Sequence, residues 1–246
     1  MALARSWAQG SLSIGKCPPP PRPARPVHPV LRPPREMPKR RHLGSKTGRA
    51  ALLHALAHIE LNAIDLASDI VARFAGSGLP RAFFDDWVGI GAEEARHFQL
   101  LAARLADFGV HYGDLPAHDG LWEAAAATSG DLLARLAVVP LVLEARGLDV
   151  TPEMAARLDR AGDTPSAAIL QLIYEQEIGH VAIGRRWFDF LCHNENLVPA
   201  AVFHDRVRRF FNGQLKPPFN RAARDAAGFP ADYYEPLAGS ATGREV

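Results

Sequence analysis

The stretches EEARHFQLLAARL at 93–105 and EQEIGHVAIGRRW at 175–187 decide how this chain reads. Each carries a Glu-x-x-His step, Glu94 to His97 and Glu177 to His180, among residues that otherwise spell the buried side of a helix. At about 100° per residue, Phe83, Trp87, Ile90, Phe98, Leu101 and Leu105 form one arc, with Glu94 inside it and His97 beside it. Glu93 points elsewhere. Leu170, Ile173, Val181, Gly184, Trp187 and Phe188 form the second arc, which contains both Glu177 and His180, while Glu175 turns to solvent. A carboxylate on an apolar face costs several kcal/mol unless something neutralises it.

Working outward, helical periodicity predicts long helices over 47–75, 80–109, 119–148 and 164–194, with shorter ones over 152–161 and 198–212. Gly and Pro punctuate them at Gly76 to Pro80, Gly109 to Pro116, Gly147 to Pro152 and Gly162 to Pro165. Strand signals are nearly absent. The expected class is all-α, with an antiparallel four-helix bundle over 47–212, a proline-rich basic segment over 1–46 that is extended or disordered, and an irregular tail over 213–246 packed on the bundle.

The first helix puts Leu53, Leu56, Ala63, Ile64, Ala67 and Val71 on one face, and Glu60 falls inside it. His54, His58, Asp65 and Asp69 lie on the opposite polar stripe; His54 and His58 read as surface groups, with a place behind the ligands as the alternative, and Asp65 reads with Asp149 and Arg146 as a structural polar network. The third helix is apolar nearly all round, and Glu144 is its only carboxylate between Asp131 and Asp149. The set is then Glu60, Glu94, His97, Glu144, Glu177 and His180, with Glu-to-Glu separations of 34 and 33. The midpoint of 60 and 94 is residue 77, inside the Gly76–Pro80 turn, so a hairpin brings these two level. The second half is less tidy: its midpoint falls near Arg160, beyond the expected break at Gly147 to Pro152. Pro140, four residues before Glu144, removes a backbone hydrogen bond and loosens the helix there.

No Lys or Arg shares the faces of these glutamates, so protonation or metal must resolve the charge. Two divalent cations would match four carboxylates, with two imidazoles completing the donor set. Oxygen and imidazole ligands without thiolate favour iron or manganese over structural zinc. Trp87, Phe98 and Trp187 either line a cavity beside such a site or pack the core.

The bulk numbers agree with one principal domain: 246 residues, 48% hydrophobic, with 12 Phe and 4 Trp. No apolar run approaches the roughly 20 residues that span a bilayer, and no secretory signal opens the chain, so a soluble cytoplasmic protein without a membrane partner is expected. Cys17 and Cys192 stand far apart and form no metal-binding pattern. Residues 1–50 hold eleven Lys/Arg and only Glu36, about +10, which leaves about −9 for the rest. That basic start reads as a solvated tail, with a nucleic-acid contact through PKRRHLGSKTGR or an organelle-targeting extension as the alternatives. It has no interleaved aromatics, and the acidic remainder offers no basic groove, so nucleic acid is not the expected partner. In the linker HYGDLPAHDGLWE, His111, His118 and Glu123 suit either a lid or an ordered loop with Trp122 packed inside.

The stretches AHIELNAIDLA (57–67), EEARHF (93–98), YGDLPAHDGLWEAA (112–125), LEARGLDVTP (143–152), EIGHVAIGRRWF (177–188) and LKPPFNRAAR (215–224) resemble the ferritin-like family catalogued as domain of unknown function 455. The likeness covers about residues 37–235. It implies a dinuclear carboxylate centre held by the six residues above, with two iron ions, or manganese or a mixed pair, as cofactor. The expected activity is that of an oxygen-activating oxidoreductase, with dioxygen, an electron donor and a small-molecule or macromolecular substrate as partners. Iron or manganese binding or peroxide scavenging without an organic substrate is the alternative, and a metal-free helical scaffold is the third reading.

Overall fold

The computed structural model describes residues 2–15, 18–38 and 42–239; Cys17 and the basic run at 39–41 lie outside the described residues. The order is α1 (Ala2–Ala8), a 3₁₀ turn (Pro34–Glu36), α2 (Lys46–Arg73), α3 (Arg81–Asp107), α4 (Gly120–Ala127), α5 (Leu132–Val138), a π-helical segment (Val139–Glu144), α6 (Ala145–Arg160), α7 (Thr164–Asn194), α8 (Pro199–Phe210), α9 (Arg221–Ala226), α10 (Ala231–Tyr234) and a 3₁₀ turn (Glu235–Leu237). Among the described residues there is no strand, only isolated bridges at Leu31–Ala117 and Leu215–Ala238. The class is all-α. The ends of α2, α3, α7 and α8 fall within two residues of those the periodicity predicts.

The region expected as one helix over 119–148 differs. It breaks at residues 128–131, where the Asp131 carboxylate accepts from Ala134 N at 2.9 Å and caps a new helix. The break expected at Gly147 to Pro152 is absent, and α6 runs through Pro152. Pro152 has no N–H for the Leu148 carbonyl, but the Asn220 side-chain amide donates to that carbonyl at 3.1 Å. A long-range hydrogen bond replaces the lost helical one. Upstream, Pro140 does what a missing N–H predicts: the helix widens to π geometry over Val139–Glu144.

The chain divides into two compact units, residues 1–126 with 152–173 and residues 127–151 with 174–246. In the first, α2 and α3 pack together as a hairpin about a turn in which Gly78 adopts φ +69°. Leu53, Leu101, Leu105, Leu158 and Leu170 are fully buried in its core, each contributing about 1.5–3 kcal/mol. Asp163 joins three elements: it accepts from Arg104 at 2.7 Å and from Ser166 N at 3.2 Å, and Arg49 lies 3.5 Å away. By length and mean hydropathy α2 would suffice to cross a membrane, yet 67% of its most apolar window is buried inside the protein. Its composition is that of a core helix. From the proline-rich segment, Arg25 reaches the polar stripe of α2, at Asn62 Oδ1 (2.8 Å) and Asp65 (2.7 Å).

In the second unit, Phe188, Phe203 and Phe229 are fully buried and meet edge to face. The tail contains α9 and α10, and Tyr233 and Tyr234 are buried anchors. Cys192 is a free, buried thiol. Gly184 on α7 meets Pro140 of the π segment so closely that an added Cβ would lie 2.4 Å from the proline Cβ. We expect Gly184→Ala to lose about 1–3 kcal/mol to overpacking, more than the roughly 1 kcal/mol that alanine gains over glycine inside a helix. Urea denaturation measures the difference; a variant at least as stable as wild type would mean that Pro140 yields at a cost no greater than the helical gain.

Candidate metal centre

The six expected ligands divide equally: Glu60, Glu94 and His97 belong to the first unit and Glu144, Glu177 and His180 to the second. In the first, the α2–α3 hairpin brings Glu60 and Glu94 level as the sequence midpoint requires. His97 Nδ1 donates to Glu60 Oε2 at 3.1 Å and stands 3.3 Å from Glu94 Oε2. Glu94 and His97 are 0% exposed and Glu60 is 5% exposed, so all three stand in the interior. The neighbouring Glu93 is exposed, as its helical phase demands.

Burial by itself would push the His97 imidazole down. The hydrogen bonds and charges of Glu60 and Glu94 outweigh it and raise the pKa from 6.5 to about 10. The imidazole therefore holds a proton at neutral pH between two carboxylate oxygens. One donor atom from each residue lies within 4.8 Å of the others, and this group of buried Glu and His side chains can hold a metal ion. Two carboxylate oxygens and an imidazole nitrogen suit a metal cation, which would take the place of that proton.

In the second unit Glu177 and His180 are buried on one turn of α7, with His180 Nδ1 3.6 Å from Glu177 Oε1. Glu175 is exposed, as expected. Glu144 is half-buried and closes the π segment. π-Helical turns recur at functional sites because they move one side chain out of helical phase.

The expectation that His54 and His58 are surface groups is overturned: they are 1% and 5% exposed. The 110–120 linker covers them. His58 Nε2 donates to the His118 carbonyl at 3.1 Å and its Nδ1 accepts from Tyr112 OH at 2.8 Å, while His54 Nε2 accepts from Gly113 N at 3.0 Å. Trp122 at the start of α4 is also buried. A sequence signal for this layer existed: His54, His58, Asn62, Asp65 and Asp69 make a continuous polar stripe on a helix that is otherwise apolar. Such a stripe faces either water or a polar partner, and periodicity does not distinguish the two. Asp65 and Asp149, expected to form one polar network with Arg146, have different partners. Asp65 pairs with Arg25, and Asp149 with Arg224 and Arg146.

Burial lowers the His58 pKa from 6.5 to about 4, with the Arg25 charge adding to it and the His118 carbonyl opposing. A histidine with a depressed folded pKa contributes stability that is complete above pH 6.5 and is lost as pH falls towards 4. Between pH 7 and 5 the expected loss is on the order of 2 kcal/mol. Urea titrations at the two pH values should show that His58→Gln loses less than wild type by this amount. An equal loss would mean that the imidazole titrates as though exposed.

No solved structure matches the chain. An uncharacterized protein of Haemophilus influenzae is 41% identical over 211 residues, covering 83% of this chain and 72% of that protein. The family match begins at residue 1 and takes in the proline-rich start that the motif resemblance left out. The chain belongs to the family described as "Protein of unknown function (DUF455)", whose model matches residues 1–235.

Proposed function

We propose that Glu60, Glu94, His97, Glu144, Glu177 and His180 together hold two divalent cations, iron first and manganese or a mixed pair as the alternative. On this reading the chain is a ferritin-like four-helix protein that activates dioxygen and oxidises an organic substrate. One observation carries it: the buried contact of His97 with Glu60 and Glu94, a donor set of the kind that carboxylate-bound metal pairs use. The second Glu-x-x-His step, and a π segment ending at Glu144, add to it. A bound iron pair would supply electrons to dioxygen. The chain's own part is to fix the donor atoms, exclude water and hold the imidazole proton at Nδ1.

A cavity favours substrate oxidation over simple metal storage. Within the first unit, a space of about 480 Å³ is bounded by Trp7, Ile64, Ala67, Trp87, Gly91 and Ala95, among others. Ala67 and Trp87 lie seven residues from Glu60 and Glu94 on the same helical faces, about 10 Å along the axis. The volume is that of a small-molecule pocket.

The test is anaerobic loading with ferrous ion followed by oxygen, read by metal analysis and Mössbauer spectroscopy. A coupled iron pair in each chain is expected. Metal content well below one ion per chain would leave only a helical scaffold. Turnover of iron into a mineral core within a large shell would establish metal handling instead.

A further inference from the structure

The segment LKPPFNRAAR at 215–224 has no part in the metal reading, yet it builds one side of a cavity in the second unit. The space measures about 270 Å³, close to the lower end of small-molecule pockets. Its apolar walls are Val142, Leu143, Phe211 and Phe219, and its charged groups are Arg146, Lys216, Arg224 and Asp149. The charges do not balance. Asp149, whose side chain is fully buried, receives Arg224 Nε at 2.9 Å and Nη2 at 2.7 Å, so this pair neutralises itself. Arg146 approaches the same carboxylate only at 3.4 Å, and Lys216 is exposed at the rim. About two positive charges remain over, and the lining includes no second acid.

The wall is held rather than loose. Arg146 Nη1 donates to the Lys216 carbonyl at 2.6 Å, and Gly239 N to the Leu215 carbonyl at 3.1 Å. Asn220 N donates to Asp149 at 2.9 Å. The Arg224 guanidinium is stacked against Phe219, Phe229 and Tyr234 with ring distances of 4.4–5.5 Å. Its Nη1 is buried with no hydrogen-bond partner among the described residues. A site whose walls are fixed before binding loses little ordering entropy when it fills.

We propose that this cavity binds a small organic anion, with its acidic head between Arg146 and Lys216 and its apolar body against Phe211, Phe219, Val142 and Leu143. Opposite charge selects the head group, and the apolar walls select an organic molecule over inorganic ions. The site stands independently of the metal reading, because none of the groups that line it is one of the six proposed ligands.

The test uses the full chain without added metal and titrates benzoate, phenyl phosphate and neutral benzamide at one ionic strength, by calorimetry. We expect at least one anion to bind with a dissociation constant of about 1 mM or below, and benzamide at least about tenfold more weakly. Lys216→Gln should weaken the anion about tenfold, while Arg35→Gln, on the exposed basic segment, leaves it unchanged. Equal binding of benzamide and the anions would reduce the cavity to an apolar crevice. No binding by any probe, or equal weakening by both variants, would overturn the proposal.

Discussion

Ferrous ion should stabilise the wild-type chain strongly and a Glu94→Gln variant hardly at all. A ligand present at about a thousand times its dissociation constant adds roughly 4 kcal/mol of stability. The Glu94 carboxylate, fully buried and 3.3 Å from His97 Nδ1, is one of the charges that would favour a cation there. The amide keeps the shape and one acceptor oxygen, so the metal-free variant should remain within about 1 kcal/mol of wild type at pH 7. Anaerobic thermal melts with and without metal measure both quantities. Glu93→Gln, one residue away on the exposed face, is the control and should retain the full gain. If Glu94→Gln gains as much as wild type, the bound metal is elsewhere and the centre described above is only a polar cluster.

Asp149→Ala is expected to be the most damaging single change away from that centre. The aspartate side chain is 0% exposed and that of Arg224 is 3% exposed, so the substitution strands a buried guanidinium among aromatic rings. It also removes the acceptor of Asn220 N. Losing one partner of such a pair costs about 3–5 kcal/mol, whereas replacing both by apolar residues of similar volume is often close to neutral. Asp149→Leu combined with Arg224→Met should therefore recover much of the loss seen in Asp149→Ala. Urea denaturation of the three proteins decides it. If the double variant is as unstable as Asp149→Ala, it is the hydrogen bonds to Ala145 and Asn220, not the isolated charge, that matter.

The sequence by itself determined the helical class, the ends of α2, α3, α7 and α8, and the burial of Glu60, Glu94, His97, Glu177 and His180. These are local properties: a period near 3.6 residues sets which side chains share a face, and a charge out of phase on an apolar face stands out without any knowledge of the partner. It also placed Glu60 level with Glu94, because a short turn fixes hairpin register. Only the tertiary structure decided the rest. That α6 continues through Pro152 depends on Asn220, 72 residues from the carbonyl it satisfies. The burial of His54 and His58 depends on a linker more than fifty residues away. A backbone acceptor left open by proline, or a polar stripe on a helix, requires a donor or a cover. Local periodicity identifies that need, and only the folded chain shows which distant segment meets it.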